Sequence, residues 1–217
     1  MKERGIIFGA PMIKALLAGR KSVTRRIVKG TQHFHRHAVP RALLSDTTAR
    51  RCEAVFSVGE GEVRLRCPYG FAGDHLWVRE TWARLTGNGH RFVYRADGED
   101  PRTGWDDVPS ERRPPMVWTS PIFLPRAVSR LTLEVVDIRV ERLHRIAEED
   151  AIAEGIERSE AGTFYVRDDD GELAEFASAR TAFEFGWDGL HAKRGGWAAN
   201  PWVWRIAFKR VGGGLDA

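Results

Sequence analysis

A chain of 217 residues with 42% hydrophobic and 29% charged residues can bury one sizeable core and is too apolar to remain disordered. No apolar run approaches the roughly 18 residues that a membrane-spanning helix needs, which excludes that class. Formal net charge is only +4, but residues 1–52 hold twelve Lys or Arg against two acids, so one end of the chain is built to meet an anion such as phosphate.

In chain order, Ile6-Ile7-Phe8 reads as an opening strand. Pro11 suits the first turn of a helix, Ile13, Leu16 and Leu17 recur at helical spacing, and Gly19 is placed to end it. Lys14 interrupts the short apolar stretches there, so no signal-peptide core is expected. Residues 29–66 show no clear periodicity and read as an insertion, carrying His33, His35 and His37. Cys52 and Cys67 are the only cysteines, which fits a reducing cytoplasm better than a disulfide framework. Gly73-Asp74 marks a turn into a strand at 75–82, where broken alternation predicts a bulge or burial on both faces. Arg91–Arg95 is a short strand ending at Asp97-Gly98, and Pro-rich 99–116 is a loop. Arg130–Val136 alternates as a strand, and Ile138 and Val140 continue it after a shift of phase. Ile146–Glu154 reads as a helix with acids in its first turn, ended by Gly155. Residues 157–172 are polar and acidic, a second loop, and Phe176, Arg180, Phe183, Trp187 and Leu190 mark an amphipathic helix. Trp202, Trp204, Ile206 and Phe208 alternate along a closing strand.

The stretch Lys21-Ser22-Val23-Thr24-Arg25-Arg26 concentrates chemistry. An amine beside a hydroxyl can activate a nucleophile, and guanidiniums can hold a phosphate. A regular strand would send Lys21 and Thr24 to opposite faces, so either the backbone turns there or the strand starts after Lys21.

With Gly19 in front, that stretch resembles the Gly-x-Lys-x-x-Thr-x-Arg signature of ASCH domains, a branch of the PUA-like superfamily. Gly73-Asp74, the strand and helix ending in Glu154-Gly155-Ile156, and the strand from Trp202 agree with that family in order. The blocks at 67–70, 77–82 and 200–204 are similar to those of phage and prophage ASCH-like proteins. The resemblance implies an α+β fold: one PUA-like domain over 1–217, a small mixed β-barrel with flanking helices. Insertions are then expected at 29–66, 99–116 and 157–172. It further implies, through the family's N4-acetylcytidine amidohydrolases, a catalytic set of Lys21, Thr24 and Glu154 without a metal or other cofactor. The expected ligand is a nucleoside, or RNA or DNA, with no membrane partner.

Under that implication Thr24 attacks the acyl carbonyl and Lys21 takes its proton. Glu154 orients Lys21 or passes the proton to the leaving amine, and Arg26 anchors a phosphate or stabilises the oxyanion. The alternative is an RNA- or DNA-binding module, including a metal-independent ribonuclease. Its support is the basic first third and the stacking surface of Trp77, Trp82, Trp187, Trp197, Trp202 and Trp204. Arg20, Arg25 and Arg26 are candidate ligand contacts on either reading. Glu80 either reads a base or pairs with an arginine; Asn200, before Pro201, either turns the chain or reads a base edge. His33, His35 and His37 alternate as a metal site could, but neither cysteine has a zinc-finger partner, so a surface loop is expected.

Overall fold

The computed structural model describes residues 1–31, 34, 39–46, 51–87, 89–98, 117–167 and 173–212. β1 (Glu3–Ile7) leads into α1 (Ala10–Leu17), which has Pro11 in its first turn and buries Ile13 and Leu16. Gly19 ends it at φ +72, a conformation that suits glycine. β2 (Val23–Ile27) follows, then β3 (Val39–Asp46), β4 (Arg51–Val58), β5 (Gly61–Arg66) and β6 (His75–Arg79). β7 (Trp82–Gly87) and β8 (Gly89–Tyr94) form a hairpin. β9 (Thr132–Arg142), α2 (Glu148–Ala153), β10 (Glu157–Arg158), β11 (Phe164–Arg167) and β12 (Leu173–Phe176) precede α3 (Ala179–His191) and β13 (Trp202–Arg210). The architecture is mixed α+β, dominated by strands, and among the described residues no helix is long and apolar enough to cross a membrane.

The central sheet runs β1-β6-β9-β13-β2, with β1 and β6 parallel and the other neighbours antiparallel. Its ladder is not closed: β1 and β2 are its two edges. The edges are bridged by a side chain instead, because Arg26 Nη2 on β2 donates to Ile7 O at the end of β1 (2.6 Å).

One face of this sheet carries Phe8, Leu76, Leu133, Trp204 and Ile206 against α1 and against Cys52, Ala54 and Phe56 of β4. The opposite side holds a second apolar cluster, in which Leu143, Ala151, Phe183, Trp187 and Trp197 pack around Val203. The closing strand is therefore apolar on both faces where it meets both clusters, and Trp204 is one of the largest fully buried side chains.

Several sequence expectations need correction. Val39–Asp46, Arg51–Val58 and Gly61–Arg66, where no periodicity is legible, pair as the sheet β3-β4-β5. Their inward positions on β4 include the small Cys52 and Ala54, which give a weak hydrophobic signal. Residues 157–158 and 164–167 pair as β10 and β11 and continue to β12, where a loop was expected; strands of two to four residues leave no pattern to read. β6 is regular, with Leu76 and Val78 buried and no bulge; alternation breaks because Glu80 has already left the strand. α3 starts later than its apolar positions suggest: Phe176 belongs to β12, Ser178 caps the helix by accepting from Thr181 N, and Leu190 is exposed. Conversely, the phase shift near Ile138 is a β-bulge. Asp137 pairs with Ala207 and Val135 with Phe208, so Val136 is unpaired and faces solvent. Residues 99–116 and His33, His35 and His37 lie outside the described residues.

Candidate functional site

The turn after α1 places Lys21. Arg20 N and Lys21 N both donate to Ala15 O (2.9 and 3.2 Å), and Ser22 N donates to Ala153 O (2.9 Å) at the end of α2. The strand begins at Val23, so Lys21 precedes it and escapes the alternation that binds Thr24 to Arg26. Glu154 caps the C-terminus of α2, and Gly155 follows at φ +101. A Cβ on residue 155 would stand 2.8 Å from Ala15 Cβ and 3.3 Å from Lys21 Cβ. Only glycine allows the end of α2 to lie this close to Lys21.

Lys21 Nζ donates to Glu154 Oε2 and to Glu154 O, both at 2.7 Å, and both side chains are almost wholly buried. Burial pushes the Lys21 amine below its ordinary range; Glu154 opposes the shift, and Arg26 and Arg25 add to it. The single carboxylate is shared. Glu154 Oε1 also accepts from Arg25 Nη1 at 3.4 Å, a long contact. Lys21 Nζ and Arg26 Cζ lie over the same Phe8 ring, 5.6 and 4.9 Å from its centroid. Thr24 is 3% exposed and opposite Ile206, and among the described residues its hydroxyl has no hydrogen-bond partner.

Behind this pair lies an ion network that the sequence did not reveal. Arg25 donates through Nε and Nη2 to Glu141 Oε1 (2.9 and 2.7 Å) and through Nη2 to Asp150 Oδ2 (2.6 Å). Arg205 grips the same Asp150 with two hydrogen bonds. Arg205 and then Arg25 hold the Asp150 carboxyl down to about 2, against burial. In the sequence, Asp150 presents itself only as an acid complementing the helix dipole, and Arg205 as a polar position in an alternating strand.

The other candidates fall elsewhere. Arg20 donates to Gly155 O (3.2 Å) and Glu157 Oε1 (2.7 Å), fastening the segment after Glu154. Arg25 is fully buried and engaged with carboxylates, so it supports the site from below rather than facing a ligand. Glu80 is buried and gripped by Arg130 Nε and Nη2, each at 2.8 Å, and burial raises its pKa. Trp82 packs on Phe92, with its indole N–H buried and unpartnered among the described residues. Asn200 turns the chain at φ +40; its Oδ1 accepts from His144 N (2.9 Å) and its carbonyl from Arg142 Nη1 (3.0 Å). Among the described residues, Glu80, Trp82 and Asn200 make no hydrogen bond to Lys21, Thr24 or Glu154, and no group of His, Cys, Asp or Glu is arranged to hold a metal ion. Phe8, absent from the sequence-based candidates, lies under the Arg26 guanidinium, and the charge of Arg26 acts on Tyr69. Comparison with protein-family models, curated proteins and solved structures finds no match to this chain.

Proposed function

We propose that the chain is an ASCH-type protein of PUA-like architecture that hydrolyses the amide of an N4-acylated cytidine-type nucleoside. The observation that carries this reading is the buried contact of Lys21 Nζ with Glu154 at 2.7 Å, three residues before Thr24, a buried residue whose hydroxyl no described residue engages. An amine whose basicity is lowered by burial gives up its proton more readily than an ordinary lysine and so serves better as a general base. Neutral Lys21 removes the Thr24 proton as Oγ attacks the acyl carbonyl. Collapse breaks the C–N bond, and the leaving N4 takes a proton delivered through Lys21 and Glu154. Water then cleaves the acyl-threonine ester, so amide and water become cytidine and carboxylate.

RNA binding remains the rival reading, and its stacking surface is reduced. Trp187, Trp197, Trp202 and Trp204 are buried, and Arg79 covers Trp77 at 4.3 Å. Incubation with N4-acetylcytidine should release cytidine and acetate. Lys21→Ala and Thr24→Ala should each abolish release while retaining the wild-type circular dichroism spectrum. Full activity in either variant overturns the mechanism. An RNA-binding protein would instead show affinity for oligonucleotides that falls steeply with salt.

A further inference from the structure

Arg26 stands apart from the arginines around it. Arg20, Arg25 and Arg205 each pair with a carboxylate. Among the described residues Arg26 pairs with none: its one hydrogen bond goes to the neutral Ile7 O, and its Nε–H is buried and unpartnered. Glu154, the carboxylate whose charge acts on Arg26, is already committed to Lys21 and Arg25. A half-buried guanidinium with free donors and no carboxylate bonded to it can be completed by an anion supplied from outside.

The surroundings suit that anion. Tyr69 is pushed upward by burial against the opposing charge of Arg26, so it keeps its phenolic proton. Arg26 shares a strand face with Thr24 two residues away, about 6.6 Å along a strand. A ligand whose acyl group meets Thr24 can therefore rest its other end on Arg26. Resting on the hydrolase reading, in which the ligand is a cytidine, we infer that Arg26 docks a phosphate monoester and that the preferred substrate class is the nucleoside 5′-monophosphate.

Calorimetric titration of the full chain with cytidine 5′-monophosphate, cytidine and inorganic phosphate tests this without turnover. The monophosphate should bind at least about tenfold more tightly than cytidine, with inorganic phosphate competing. Arg26→Gln should lose most of that preference, and Arg26→Lys, which keeps the charge but not the fork, should recover part of it. Equal binding of nucleotide and nucleoside by the wild type overturns the inference, as does tighter binding of an oligocytidylate without a terminal phosphate. The wild-type comparison stands even if a variant fails to fold. Absent hydrolysis of N4-acetylcytidine with an intact monophosphate preference sinks the hydrolase reading alone; hydrolysis without the preference sinks this inference alone.

Discussion

Lys21 is buried with one shared carboxylate, and that single fact sets its chemistry. Desolvation disfavours the ammonium, Glu154 favours it, and the nearby arginines oppose it, with burial the largest of these. If neutral Lys21 is the base, kcat/KM for an acylated cytidine should climb with pH along a limb lying below the ordinary lysine value of about 10.4. The sign of a second change follows. Glu154→Gln removes the charge that holds the proton on Lys21, so the limb should move to lower pH even as turnover falls. Lys21→Arg cannot deprotonate in this range and should lose the limb together with about 10²–10⁴-fold in rate. A pH-rate profile of the three proteins checks this; a limb unmoved in the Gln variant removes the Lys21–Glu154 coupling from the mechanism.

Among the elements, the contact of α1 with the end of α2 is the one that aligns the site. Gly155→Ala forces a side chain onto a backbone at φ +101 and drives its Cβ to 2.8 Å from Ala15 Cβ. Left-handed strain of about 1–2 kcal/mol and overpacking of about 1–3 kcal/mol should add to a loss of roughly 2–5 kcal/mol. Gly162→Ala is the control: φ is +90 but its nearest neighbour is 3.7 Å away, so only the strain is expected. Urea midpoints separate the two, and turnover should fall further in the first because Glu154 moves with residue 155. These elements differ in how plainly the sequence announces them. Pro11 and Gly19 bracket α1, and the broken phase near Ile138 encodes a bulge, because each signal is local. β3–β5 and β10–β12 are hidden because their strands are short or their inward residues small, and their faces are defined only by what they pack against. The site divides in the same way. Lys21, Thr24 and Arg26 come from one continuous stretch, whereas Phe8 joins them from the residue after β1, and Glu141, Asp150 and Arg205 brace the stretch through Arg25 from β9, α2 and β13.

At the scale of the whole molecule, one sheet separates two apolar clusters, and the Arg25–Glu141–Asp150–Arg205 network lies where α2 meets the sheet. That junction carries the helix bearing Glu154, so its electrostatics bear on global stability and on the site together. Asp150 has a folded pKa of about 2 against an ordinary 3.8. A carboxyl depressed by folding stabilises the folded state fully above the unfolded value, and the contribution is lost as pH falls through the folded value. The window is therefore about pH 4 down to 2, and the contribution is on the order of 2 kcal/mol. Asp150→Asn removes the titration and leaves Arg25 and Arg205 short of a partner, so the variant should be less stable at pH 7. Its deficit should shrink by roughly 2 kcal/mol on acidification, because the wild type alone loses this interaction. Denaturant unfolding of both proteins at pH 7, 4 and 2.5 measures the gap; a gap that stays constant with pH would mean that Asp150 is not held ionised by the two arginines, and the junction would owe its stability to packing around Ala151 and Val203 instead.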